Sequence, residues 1–280
     1  MSPFHDMDIP DNSPQKNAPA YRLAALDTDF MLGDSMRGVR FQLEYAKAEE
    51  QLRAWGVRST IVVFGSARIS SGPDGHDNHR RSSNGRKTRW WQEARRFGTI
   101  ASQRGGALHL RDGVRDNVIA TGGGGGIMEA VSLGAWEAGA PAIGFNITLP
   151  HEQEPNPYTT PELTFRFHYF AMRKMHLAMR ANALVAFPGG FGTLDELFEV
   201  LTLRQTGKSP DLPIVLFDRA FWTRLINFDA LVEDGMIAER DKDLFDFAED
   251  AEDLWAKLVA RGLKSHTPAS QAPLDPAQRL

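Results

Sequence analysis

The chain contains no cysteine. Disulfides, thiolate nucleophiles and cysteine-based metal sites are thereby excluded. No apolar run approaches the length of a membrane span. The first residues, MSPFHDMDIPDNSPQKNAP, lack the basic and apolar regions of a secretory signal, so a cytoplasmic protein is expected. A large excess of one charge sign is also lacking. The formal net charge is −4, with 24% charged residues in 280, which gives no pull towards nucleic acid or a membrane surface. No internal repeat is present, and no cluster of histidines and carboxylates suggests a metal.

What is present alternates between strand and helix. Residues 1–20 hold four prolines and read as a disordered tail, followed by a helical extension over 21–57. Thr60–Phe64 is a β-branched run ending in Gly65, Ser66, Ala67 and Arg68. Residues 70–89 are poor in apolar side chains and read as a mobile polar insert, with Trp90–Arg104 a helix. The basic residues Arg80, Arg81, Arg86, Lys87 and Arg89 read as a solvated loop surface, attraction of phosphate being the alternative. Further strands are expected at Val118–Ala120, Pro141–Phe145, Leu163–His168, Ala183–Phe187 and Ile214–Phe217. Helices are expected at Ile127–Glu137, Phe170–Arg180, from Thr193 onward, at Ala220–Leu231 and at Ala251–Leu263. The pattern implies an α/β fold, a Rossmann-like doubly wound parallel sheet in one domain over 58–263. Residues 264–280 read as a flexible tail.

Ligands in such folds sit beyond the carboxyl ends of the strands, and two glycine-rich loops stand there. Thr121 precedes five consecutive glycines, Gly122–Gly126. A dinucleotide fingerprint would need glycine at 127 or 128, where Ile127 and Met128 stand, and an acid after the next strand, where Asn146 stands. No G-x-x-x-x-G-K-[ST] run occurs at either loop. The five glycines are either a tight strand-to-helix turn or a surface that a ligand approaches closely. The second loop, Pro188–Thr193, joins a strand to a helix. The free N–H groups and positive dipole end of that helix make an anion site. Glu196, one turn inside, has two readings: a functional acid, or the last member of a capping box in which Thr193 caps the helix.

These residues resemble the LOG ("Lonely guy") family of cytokinin riboside 5′-monophosphate phosphoribohydrolases. Pro188–Glu196 is similar to its PGGxGTxxE motif, Arg173-Lys174 to its Arg-Lys element, Gly122–Ala130 to its GGGxGxMEA loop and Phe64–Ala67 to its first-strand loop. The similarity runs in order over roughly 58–260; the insert at 70–89 departs from it. The resemblance implies hydrolysis of the N-glycosidic bond of AMP or an N6-substituted AMP, giving free base and ribose 5-phosphate without cofactor or metal. The catalytic pair would be Arg173 and Glu196. Gly65, Ser66, Gly123, Gly124, Gly126, Met128, Glu129, Lys174, Gly189, Gly190, Gly192 and Thr193 would bind substrate and its phosphate. It also implies a homodimer or an assembly of dimers. A general AMP or nucleotide nucleosidase is the enzyme alternative. A nucleotide or molybdenum-cofactor carrier, which needs the loop but not the acid, is the non-enzyme alternative. A lysine decarboxylase would need a Schiff-base lysine for pyridoxal phosphate, and Lys174 alone points to no such site. His168 and His176 read as structural.

Overall fold

The computed structural model describes residues 11–70, 81–149 and 154–264. The expected tails therefore lie outside the described residues over 1–10 and 265–280, as does 71–80 of the polar insert. The chain divides into two compact units, Met1–Ala46 and Lys47–Leu280.

The first unit carries two short helices, α1 (Ser13–Asn17) and α2 (Thr28–Leu32), and the start of α3 (Arg37–Ala54). Residues 13–17 of the expected disordered tail are thus helical, with Pro14 inside the first turn, where its missing N–H costs nothing. Arg40 donates to the carbonyls of Met31 and Gly33 at 2.8 and 2.7 Å, tying α3 back to the preceding turn.

The second unit contains one parallel sheet of seven strands in the order β4-β3-β2-β1-β5-β6-β7. These are β1 (Thr60–Phe64), β2 (Val118–Thr121), β3 (Ala142–Ile147), β4 (Thr164–Phe167), β5 (Ala181–Ala186), β6 (Ile214–Phe217) and β7 (Asp246–Ala248). The helices are α4 (Arg81–Gly105), α5 (Ile127–Glu137), α6 (Phe170–Met179), α7 (Phe191–Gln205), α8 (Arg219–Leu225), α9 (Phe228–Glu233) and α10 (Ala251–Ala260). The Rossmann-like architecture read from the sequence is present. Strand residues alternate between two cores, as a period of two requires. Val62, Phe64, Val118, Ala120, Leu184 and Leu216 pack with Leu52, Leu177 and Leu197 of α3, α6 and α7. Ile61, Val63, Ile119, Val185 and Val215 pack with Phe97, Val131 and Leu254 of α4, α5 and α10. Burying each such side chain stabilises the fold by roughly 1.5–3 kcal/mol. Among the described residues no helix is long and apolar enough to cross a membrane.

Three local expectations change. Residues 81–89 belong to α4 rather than to a loop. Arg86 and Arg89 pair with Asp218 and Glu249, and these tertiary contacts override the weak local propensity. The expected helix at Ala220–Leu231 is two, α8 and α9, because Asn227 starts a new helix by accepting from the Ala230 N–H at 3.1 Å. Strand β7, three residues long, beginning with Asp246 and followed by Glu249 and Asp250, is not among the expected strands.

The order of strand addition reverses between β1 and β5, which run parallel. From β1 the chain builds outward through β2, β3 and β4, then returns to β5 on the other side of β1. The crevice above that pair is the topological switch point at which this class of fold places ligands.

Candidate active site

Three loops leave the sheet around the switch point and are stitched to one another. The Ser66 N–H, after β1, donates to the Pro188 carbonyl after β5 at 3.1 Å. The Ser66 carbonyl accepts from the Ile127 N–H after β2 at 3.1 Å. These contacts need glycine at close quarters. A side chain at Gly126, whose φ is +70°, would collide with the Ser66 carbonyl and with Ala67, and one at Gly65 would collide with Ile127.

Helix α7 begins at Phe191, two residues earlier than the sequence suggests, with Gly190 as its N-cap and no side-chain cap. The Thr193 and Leu194 N–H groups both donate to the Gly190 carbonyl at 3.0 Å. Thr193 is therefore inside the first turn and not at the cap, which removes the capping-box reading of Glu196. A glycine at the cap leaves the helix entrance without a side-chain acceptor, so its outer N–H groups remain for a ligand. Gly189 is needed because any side chain there would strike Thr193, whereas Gly190 and Gly192 face open space.

Glu196, on the second turn of α7, points towards α6. Its Oε1 lies 3.6 Å from Nη2 of Arg173; Glu196 is buried and Arg173 is partly buried, with one side on the cleft. Burial pushes the Glu196 carboxyl up to about 7, and the nearby Arg173 and Lys174 only partly offset it. Burial also lowers the pKa of Arg173, against the pull of Glu196 and Asp195; the guanidinium stays protonated all the same. Its Nε is buried with no hydrogen-bond partner. The guanidinium passes beside Gly122, where an added Cβ would meet Nη2 at 3.3 Å and Met128 Sδ at 3.0 Å. The pair thus stands over the end of β2.

A cleft of about 810 Å³ opens over the loops. Of the site residues expected from the sequence, Gly65, Ser66, Met128, Arg173, Gly189, Gly190, Gly192 and Thr193 line it. Gly123, Gly124, Gly126 and Glu129 do not, and Glu196 lies behind the lining, reached through Arg173. Gly123, at φ +70°, packs on Asn146. Asn156 holds this loop, its N–H donating to the Gly123 carbonyl at 2.9 Å and its amide to that of Gly124 at 3.0 Å. Lys174 turns away to Asp195 at 2.8 Å and Glu199 at 3.0 Å, on a separate groove along α7. The cleft also includes Arg68 and Lys87, read from the sequence as a loop end and as part of a solvated basic stretch, and four residues that the sequence did not flag: Ile69, Trp90, Phe221 and Leu225. They come from the loop after β1, from α4 and from α8, and no local spacing connects them.

A doubly wound sheet with an uncapped glycine loop and a carboxylate–guanidinium pair beside its switch point belongs to a class of folds that take small ligands at that place. Comparison with known proteins narrows it. A family described as "Possible lysine decarboxylase" matches residues 128–258. The cytokinin riboside 5′-monophosphate phosphoribohydrolase LOG5 of Arabidopsis thaliana is 32% identical over 148 residues, 52% of this chain and 64% of that protein. The phosphoribohydrolase LOG of Oryza sativa subsp. japonica is 30% identical over 180 residues, 63% of this chain and 69% of that protein. The chain belongs to the LOG family. It matches these two curated relatives over 64% and 69% of their own lengths. A solved molybdenum cofactor binding protein from Rippkaea orientalis is 18% identical, covering 72% of this chain and 97% of that one with a TM-score of 0.46, a likeness too slight to carry an argument.

Proposed function

We propose that this chain hydrolyses the N-glycosidic bond of a nucleoside 5′-monophosphate, AMP or an N6-substituted AMP, releasing the base and ribose 5-phosphate. The observation that carries the reading is Glu196. It is a carboxylate sealed beside a phosphate-type loop, with a pKa near neutrality and a fixed cation at 3.6 Å. The substrate phosphate lies on the N–H groups of Gly190, Phe191 and Gly192, beside Thr193, which places the ribose over α7 next to Glu196. Bond cleavage develops positive charge on the ribosyl ring. The Glu196 carboxylate stabilises that charge and accepts the proton of the attacking water, a task suited to a base poised near pH 7. Arg173 orients Glu196 and stabilises negative charge on the departing base. Gly65, Ser66 and Met128 frame the ribose and phosphate. A pure carrier would have no use for a buried acid at this position, and burying it costs stability.

The same reading includes pairing of two chains. Phe191 is 92% exposed, and the exposed Phe198 lines with it the groove held by Lys174. This is an apolar rim next to the cleft of the kind that subunit contacts cover.

Incubation with AMP and with N6-isopentenyl-AMP, followed by chromatography for free base, tests the reaction. Release of adenine or its N6-substituted form together with ribose 5-phosphate is expected. No base from any nucleotide would contradict it.

A further inference from the structure

Arg173 is held more by packing than by hydrogen bonds. Its guanidinium lies 3.6 Å from Glu196, beyond ordinary hydrogen-bond length. Its Nε has no hydrogen-bond partner among the described residues. What it rests on therefore decides where it stands. An added Cβ at Gly122 would meet Arg173 Nη2 at 3.3 Å and Met128 Sδ at 3.0 Å, so both side chains lie against this glycine.

Five consecutive glycines make a poor support by themselves. Each samples more backbone conformations than any other residue. Asn156 supplies the constraint. Its N–H donates to the Gly123 carbonyl at 2.9 Å and its side-chain amide to the Gly124 carbonyl at 3.0 Å. On the near side the Gly123 N–H donates to the Thr121 hydroxyl at 3.0 Å. Asn156 is itself fixed. Its Oδ1 accepts from the Tyr158 N–H at 3.2 Å, which sets the amide N–H groups towards the loop. Its carbonyl accepts from the Thr159 hydroxyl at 3.1 Å, and Thr159 accepts from the Thr164 hydroxyl at 2.8 Å. Asn156 and Thr159 are only 6% and 7% exposed, so water competes little for these bonds. A buried relay runs from the edge strand β4, where Thr164 stands, to the glycines one and two residues from Gly122. The far end of the loop is already fixed, because Gly126 fits against Ser66 and Ala67. The relay acts on the near end, where Arg173 lies. With the loop released, two glycine carbonyls become free acceptors close in sequence to the support of a guanidinium that has a spare N–H.

We propose that Asn156 is a positioning residue of the site: by holding the glycine loop it keeps the Arg173 guanidinium beside Glu196. This rests on the hydrolytic reading above, in which those two residues do the chemistry. Lys174, Asp195 and Glu199 also act on Glu196. They pair with one another along α7, so a loosened loop changes the Arg173 contribution.

The test is base release from AMP by the full chain, measured as kcat/KM from pH 5 to 9. Wild type, Asn156→Ala, Arg173→Ala and the double variant are compared, with a melting curve for each. With the cation displaced, Glu196 ionises at higher pH. Asn156→Ala should move the acid limb upward by at least about half a pH unit and lower kcat/KM at pH 7 by about tenfold. In the Arg173→Ala background the same substitution should cost less than about twofold, because the group it acts through is gone. Thr159→Val loses only the hydroxyl that seats Asn156. It should shift the limb in the same direction by less, and it carries the test where Asn156→Ala does not fold. An acid limb at its wild-type position in a folded variant would overturn the proposal. So would an equal loss from Asn156→Ala with and without Arg173, which is what general loosening of the fold gives. Release by the wild type with unchanged variants contradicts only the positioning role. No release by the wild type contradicts the hydrolytic reading and this role with it.

Discussion

The guanidinium of Arg173 lies 3.6 Å from the carboxylate of Glu196, yet burial outweighs their attraction, raising the pKa of the acid and lowering that of the base. A tight surface pair would do the reverse. The site therefore holds an acid that is half ionised near pH 7, and most of the testable consequences follow from that.

Base release should depend on the ionised Glu196. Its rate should rise with pH through an apparent pKa of about 7 and level off above it. A pH profile of kcat/KM on AMP measures this. A flat profile from pH 5 to 8 would remove Glu196 from the role of base.

Stability should move the other way. The folded pKa is about 7 and the reference value is 4.5, so within that window the folded chain holds the extra proton. The stabilisation is fully present below 4.5 and is lost as pH rises through about 7, by up to roughly 3 kcal/mol. Glu196→Gln has no proton to lose. Denaturant unfolding of both proteins at pH 5 and pH 8 should show the wild type losing ground to the variant at the higher pH. An unchanged difference between them would contradict the burial argument.

Arg173→Ala leaves Glu196 buried without its main compensating cation. The acid limb of the rate profile should shift above pH 7, and kcat/KM should fall by about a hundredfold or more. Arg173→Lys keeps the charge but not the planar fork and should fall between the two. Steady-state kinetics across pH checks the order. A variant with wild-type kinetics would leave Arg173 as packing alone.

Adjacent glycines should respond differently. An added methyl at Gly189 strikes Thr193, whereas Gly190 faces open space with an ordinary extended backbone, φ −100° and ψ −153°. Gly189→Ala should cost about 1–3 kcal/mol and lower the melting temperature by several degrees. Gly190→Ala should melt like the wild type but bind AMP more weakly, its methyl standing where the phosphate belongs. Paired melting curves and titrations distinguish them. Equal loss of stability in both would mean that the loop is only a turn.

The fold was legible because the central strands are short β-branched or apolar runs, such as Thr60–Phe64 and Ile214–Phe217, each followed by a change to helical period. Strand β7 was not, since Asp246–Ala248 is too short to show a pattern and pairs only because β6 is its neighbour. The start of α7 was misread because Thr193 and Glu196 have capping-box spacing while the glycines ahead of them hide the first turn. Arg173 and Glu196 were found through a motif, and the glycine loops through their position after strands. The cleft wall made by Trp90 and Phe221 had no local signal. Trp90 and Phe221 lie on separate helices and meet only because Asp218 accepts from both, and Lys87 sat in a stretch that read as solvated loop.

Glu196→Gln gives the most direct test of the central claim, that Glu196 is the working acid of a nucleotide-hydrolysing site. Base release from AMP and calorimetric AMP binding should be measured on the same preparation of wild type and variant. Turnover is expected to fall by about a hundredfold or more, with AMP affinity within about threefold and the fold intact. Retained turnover in a folded variant would contradict it.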